Sequence, residues 1–158
     1  MALSEGVNSY VTVTDANAYF TDRLDVAAWT AADATMRAQA LITATTVLDD
    51  MPWTGTAISE SQPLAFPRNG DYFDPRLGIA VTLTEDTPTR IRTATMELAY
   101  HFLNNDGVLD DTGLVKDLQA GSISLGTIIP PNTLPALVRR TIKPLLVNSG
   151  SNSWWRAN

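Results

Sequence analysis

A chain of 158 residues, 44% hydrophobic and 18% charged, is long enough for one domain with a real core. It has no cysteine, which excludes a disulfide framework and a thiolate metal site. A net charge of −6 argues against an electrostatically driven nucleic-acid binder as a whole molecule.

The charge is uneven. After Asp117 come four of the eleven basic residues (Arg139, Arg140, Lys143, Arg156) and none of the seventeen acids. An acidic body with a basic C-terminal part predicts two surfaces with different partners. No apolar run approaches the ~18 residues of a membrane span, and Met-Ala-Leu-Ser-Glu is unlike a signal peptide. The expectation is a soluble protein made in a cytoplasm, with no membrane partner.

In chain order, Tyr10-Val11-Thr12-Val13 is β-prone, and Thr14-Asp15 predicts the cap of a helix with Ala16, Tyr19, Phe20 and Leu24 on one face. Thr30-Ala31-Ala32-Asp33 reads as a capping-box start for a longer helix that Pro52 ends. Its apolar face is Met36 or Ala40, Leu41, Ala44, Val47 or Leu48, and Met51. Thr35, Gln39, Thr43, Thr46 and Asp50 fall opposite.

From Trp53 to about Thr87 no period holds, apart from a candidate strand at Ile79–Leu83. Here Trp53, Leu64 and Phe66 stand among prolines and glycines, with Arg68 close behind. A disordered loop has no use for two aromatics, so this segment is expected to be a long structured loop. It either packs its own domain or shapes a contact between protomers.

Thr87-Pro88 opens the next helix, which runs to about Asn105 with Ile91, Ala94, Thr95, Leu98, Ala99 and Phe102 on one face. Met96, Tyr100 and Leu103 widen that face, marking the helix as central. Arg90, Thr93, Glu97, His101 and Asn104 form its expected solvent side. Ser122–Gly126 and Thr127–Ile129 alternate like an edge strand or one arm of a hairpin.

Pro130-Pro131-Asn132-Thr133 then caps a last helix with Leu134, Leu137, Val138, Ile142, Leu145 and Leu146 apolar. Arg139, Arg140 and Lys143 face outward as a candidate basic surface, and Pro144 kinks or ends the helix. Residues 149–153 read as a linker, with Trp154, Trp155 and Arg156 beyond it. The fold class expected is mainly α: about four helices, a small β-hairpin or strand element, the long loop and an extended C-terminal arm. The domain would span 1–148 and the arm 149–158.

Catalytic chemistry finds little support. His101 is the sole histidine, so any nucleophile–base constellation would have to use it. The pairs Asp49-Asp50 and Asp110-Asp111 lack the spacing of a metal loop and read as solvated charge. No glycine-rich phosphate loop sits in a strand–loop–helix frame. The expectation is a non-enzyme with no catalytic residues, metal or cofactor. Trp154, Trp155 and Arg156 instead have the composition of an interface anchor.

The pieces Ser9–Val13, Ala18-Tyr19-Phe20, Trp29, Ala40–Thr45, Trp53-Thr54-Gly55, Gln62–Arg68, Glu97-Leu98-Ala99 and Gly121–Leu125 occur in a familiar order. That order, kept from about Ser9 to Leu146, resembles a family of small proteins encoded among the structural genes of tailed phages. They are labelled DnaT-like single-stranded-DNA-binding proteins and are similar to head–tail adaptor (connector) proteins. The stretch Asp71–Thr84 is long for that pattern, Phe66 stands where a Trp is expected, and the Trp154–Arg156 tail has no place in it.

The resemblance implies a virion structural protein at the neck. Its protomers would form a ring of twelve copies beneath the portal, contacting portal and tail or neck proteins, with double-stranded DNA passing through unbound. On that reading the Trp154–Arg156 arm docks on the portal. The alternative takes the label literally, as a single-stranded nucleic-acid binder using the basic, Trp-containing C-terminal part.

Overall fold

The computed structural model describes residues 2–84, 86–105 and 134–147, and the backbone of 118–120 and 123–125. Its elements run α1 (Val13–Thr21), α2 (Ala27–Ala31), α3 (Ala34–Asp49), β1 (Thr56–Ala57), β2 (Arg68–Asp74), β3 (Ile79–Leu83), α4 (Thr89–Asn104), β4 (Leu118–Ala120), β5 (Ile123–Leu125) and α5 (Ala136–Ile142). A 3-10 turn at Lys143–Leu145 follows α5.

Helices predominate, as expected, with five among the described residues rather than four. The additional one is short α2, which seats Trp29 in the core. Residues 148–158, including Trp154, Trp155 and Arg156, lie outside the described residues, as do Asp110-Asp111, Thr127–Ile129 and Asn132-Thr133.

Helix starts are set by side chains that take up orphan N–H groups. Thr12, not Thr14, caps α1 in a reciprocal box with Asp15. Helix α1 therefore begins earlier than its sequence suggests and ends at Thr21, leaving Leu24 90% exposed instead of on the apolar face. No strand forms at Tyr10–Val13; Tyr10 and Val11 are buried as the chain enters the helix. Asp33, not Thr30, caps α3 through the Met36 N–H.

On α3 the buried positions are Ala40, Leu41, Ala44, Thr45 and Leu48, while Met36 is exposed. Thr45 is tolerated inside because its hydroxyl donates to the Leu41 carbonyl at 2.9 Å and accepts the Tyr10 N–H at 3.3 Å.

Helix α4 is the centre of the domain, in contact with α2, α3 and α5. Ile91, Ala94, Thr95, Met96, Glu97, Leu98, Ala99 and Phe102 are all buried along it. Glu97 was expected on the solvent side and is 5% exposed. It is enclosed because α1 covers that flank: Tyr19 donates its hydroxyl to Glu97 Oε1 at 2.5 Å and Arg23 pairs with Oε2. Burial and that hydrogen bond push the Tyr19 hydroxyl up to about 12.

The aperiodic stretch contains more regular structure than its sequence shows. Strands β1, β2 and β3 form an antiparallel sheet in that order. In the hairpin Tyr72 faces Val81 and Asp74 faces Ile79. Strand β5 forms a second antiparallel pair with β4. Helix α5 is preceded by Pro135 and buries Val138 and Ile142; Leu137 is 41% exposed.

Gly55 and Gly70 mark a close approach between β1 and β2. Gly55 has φ +74, and a Cβ on it would lie 2.2 Å from the Asn69 carbonyl oxygen. Gly55→Ala should therefore destabilise the domain by about 1–3 kcal/mol in a chemical-denaturation titration. Gly78→Ala, at φ +71 with open space around it, should cost less.

Candidate nucleic-acid interface

Between Trp53 and Arg68 the chain from Gly55 to Ser61 is exposed, while the large apolar side chains Trp53, Leu64 and Phe66 pack inward. Trp53 is 5% exposed, Leu64 8% and Phe66 2%. The Trp53 and Phe66 rings meet edge-on at 5.2 Å, and Phe66 meets Tyr10 at 6.2 Å. Trp53 Nε1 donates to the Leu48 carbonyl at 2.9 Å, so its one polar atom is satisfied within the core.

Arg68 organises the loop from its rim. Its guanidinium donates to the carbonyls of Thr54 (2.8 Å), Gly55 (2.6 Å), Ala65 (3.3 Å) and Trp53 (3.4 Å). The planar fork of Arg suits such convergent acceptors.

Asp49 supplies the anchor beneath. Its Oδ1 accepts the Ala65 N–H at 2.6 Å and the Tyr10 hydroxyl. This corrects its reading as solvated charge: the carboxylate at the end of α3 joins the N-terminal segment to the loop. Burial, and then the bond to Asp49, push the Tyr10 hydroxyl far above its ordinary value.

The cations sort into two sets. Arg23 pairs with Glu97, Arg90 with Asp74, and Arg92 with Asp15 and Glu5. Arg37 donates to the Trp29 and Thr30 carbonyls and to Asn17 Oδ1 while lying over the Trp29 ring. With Arg68 committed to carbonyls, Arg76 is the one basic side chain in residues 2–105 that makes no hydrogen bond or ion pair among the described residues.

Arg139, Arg140 and Lys143 form the other set. All three are exposed on α5 and the turn after it, and no carboxylate pairs with them among the described residues. Arg139 and Lys143 stand one helical turn apart on one face. Near a helix C-terminus such charges also favour the helix dipole, which gives them a structural use without any ligand.

Flat aromatic faces are scarce beside this strip. Phe20, Trp29, Trp53, Phe66 and Phe102 are buried, and Phe73, on the outer face of the β2–β3 hairpin, is 60% exposed. His101 is half-buried and contacts the Asn105 side chain at 3.1 Å; Glu97, four residues earlier, is engaged with Tyr19 and Arg23. Among the described residues no group of three or more His, Asp or Glu is placed to hold a metal, and no helix is long and apolar enough to cross a membrane.

Residues 2–157 match the model of a family described as "Putative DnaT-like ssDNA binding protein". The chain belongs to this family. No curated protein and no solved structure matches it. The family match spans both the Trp53–Arg68 loop and the α5 strip.

Sequence reading missed three site-forming features: the inward role of Asp49, the burial of Glu97, and strand β2. The first two carry a local signal. Glu97 lies between Met96 and Leu98 on a helix read as covered on two sides, and Asp49 follows directly on the buried Leu48.

The ion pair of Asp74 with Arg90, at 2.7 Å, ties the hairpin to the start of α4. That hydrogen bond, joined by the Arg76 N–H and opposed by desolvation, holds the Asp74 carboxyl below the usual carboxylate range. A depressed carboxylate adds stability above its unfolded pKa and loses it as pH falls through the folded one. Melting temperature should accordingly fall as pH drops below about 4, the ordinary carboxylate range. In Asp74→Asn the fall should be shallower, from a lower starting value, as followed by circular dichroism.

Proposed function

We propose that the chain binds single-stranded nucleic acid through the basic C-terminal part. The observation that carries this reading is the segregation of cations. In residues 2–105 every basic side chain but Arg76 is held by an internal acceptor, whereas Arg139, Arg140 and Lys143 face solvent unpaired among the described residues. The family's description names the same class of ligand.

The strip would contact phosphates. Trp154, Trp155 and Arg156 would add stacking and a fourth cation, because indole faces accept any base. A net charge of −6 limits the contact to this strip and makes affinity modest.

Four cations set a quantitative bound. For a labelled oligothymidylate, the slope of log K against log salt should be no steeper than about −2.8, from roughly 0.7 per phosphate contact. Arg139→Glu with Arg140→Glu should abolish measurable binding at low salt. Circular dichroism should show the domain still folded, with at most a small drop in melting temperature from the lost helix-dipole contribution. Binding that is absent in the full chain, or unchanged in that variant, would overturn the reading.

A second reading, favoured by the β2–β3 hairpin, is a virion head–tail adaptor. Phe73, Leu77 and Ile79 are 60%, 53% and 57% exposed within seven residues of one hairpin, Phe73 on one face and Ile79, paired with Asp74, on the other. A ribbon with large apolar side chains exposed on both faces suits insertion between neighbouring protein surfaces. An acidic body also suits a channel through which double-stranded DNA slides without sticking.

On this reading the chain forms a ring of about twelve copies, closed by heterologous contacts beneath the portal at the virion neck. Mixed with purified portal, it should then give ring-shaped particles by electron microscopy, and Phe73→Asp with Ile79→Asp should reduce them severalfold. Portal particles lacking any added density would remove this reading and leave the first untouched.

A further inference from the structure

Leu24 is the most exposed large apolar side chain among the described residues, and the α1–α2 loop that carries it is held on both sides. Before it, Arg23 pairs with the buried Glu97 of α4 and lies 5.4 Å from the Tyr100 ring. After it, the Asp25 carbonyl accepts the Tyr100 hydroxyl at 2.6 Å. Asp25 has φ +56, the left-handed region that a residue with a Cβ seldom enters. Such a conformation persists where surrounding contacts impose it, and here they come from α4. A single exposed leucine on a free loop is ordinary. One fixed on both sides in a strained turn is a preorganised contact, because the loop is ordered before anything binds.

The neighbours of Leu24 set the chemistry of its counterpart. Asp22 and Asp25 are exposed, while Arg23 is committed to Glu97. The loop therefore presents an apolar tip with acidic flanks, which suits an apolar recess with a cation at its lip.

The same chain carries such a recess. A cleft of about 520 Å³ lies between the β2–β3 hairpin and the start of α4, with Leu77, Val81 and Pro88 among its lining. Arg76 also lines it and has no ion pair or side-chain hydrogen bond among the described residues. Arg90, which lines it as well, is held by Asp74. Asp86, from the segment leading into α4, would repel an acidic tip and so turns the tip's carboxylates toward Arg76. Leu24 is exposed, so it does not occupy the cleft of its own chain.

We propose that the Leu24 tip of one copy docks in the hairpin–α4 cleft of a second copy, with Asp22 and Asp25 facing Arg76. Two different surfaces meet, so the contact is heterologous and runs head to tail. It rests on the adaptor reading in requiring self-association, and deepens it by naming the surfaces that join. The test uses no portal, so the contact can fail while ring formation on portal, through other surfaces, still stands.

Sedimentation velocity on the full chain, over a concentration series reaching the millimolar range, should show reversible association. Leu24→Asp should weaken it by about tenfold or more, as should Arg76→Glu combined with Leu77→Asp. These side chains are exposed, so both variants should remain folded by circular dichroism. Neither variant should associate with itself. Mixed one to one they should form a dimer and stop there, because one supplies an intact cleft and the other an intact tip. An unaltered chain that stays monomeric throughout would overturn the proposal. So would undiminished association in either variant, or a mixture that stays monomeric.

Tyr100→Phe tests the preorganisation separately, since it leaves Leu24 in place and releases the Asp25 carbonyl. Association should weaken severalfold while the chain remains folded. Unchanged association there would overturn the role given to the fixed loop.

Discussion

One carboxylate fixes the half of the molecule that the sequence makes hardest to read. Asp49 closes α3, and its Oδ1 receives the Tyr10 hydroxyl and the Ala65 N–H from segments 39 and 16 residues away. Hydrogen bonds to a charged acceptor contribute about 1.5–3 kcal/mol each, enough to hold two irregular segments against one helix end. Once Tyr10 and Ala65 are held there, Phe66 meets the Tyr10 ring and Trp53 meets Phe66. Arg68 then has the carbonyls of Trp53, Thr54, Gly55 and Ala65 within reach, and β2 begins at that same residue. The C-terminal part joins this arrangement through Trp53 and Leu146, so α5 and its cations are placed by the loop as well as by α4.

How much of this could be read in the sequence depends on whether a residue's environment is local. Helix α4 was legible because Ile91, Ala94, Thr95, Leu98, Ala99 and Phe102 repeat at helical spacing and all turn inward. Strand β3 was legible for its β-branched run. Strand β2 was not: Arg68-Asn69-Gly70-Asp71 has no strand propensity, and it pairs because β3 and the Arg68 cradle hold it in register. Asp49 and Glu97 were misplaced for a related reason. A carboxylate reads as solvated until a distant donor is known, and here the donors, Tyr10 and Tyr19, lie 39 and 78 residues off.

The candidate site follows the same division. The exposure of Arg139, Arg140 and Lys143 was visible from their helical spacing against Val138 and Ile142. Their distinctiveness was not, since it comes from what the other arginines do. Arg37, Arg68, Arg90 and Arg92 look equally available in sequence, and only the fold shows each engaged by an internal acceptor. With those cations engaged internally, the ones left without an acceptor among the described residues are Arg76 on the hairpin and the group of three on α5 and the turn after it.

That grouping constrains any nucleic-acid ligand more than the net charge does. A duplex is stiff over ~150 base pairs and would extend well past a strip only two helical turns long on a molecule of net charge −6. A single strand can bend to follow the strip and keep its remaining phosphates away from the body, at the entropic cost of ordering a few nucleotides. The same short strip on a net-acidic molecule would let a duplex slide past an adaptor ring without arrest. The two readings therefore call for the same charge distribution, and what separates them is whether the aromatic side chains after Val147 meet bases or protein.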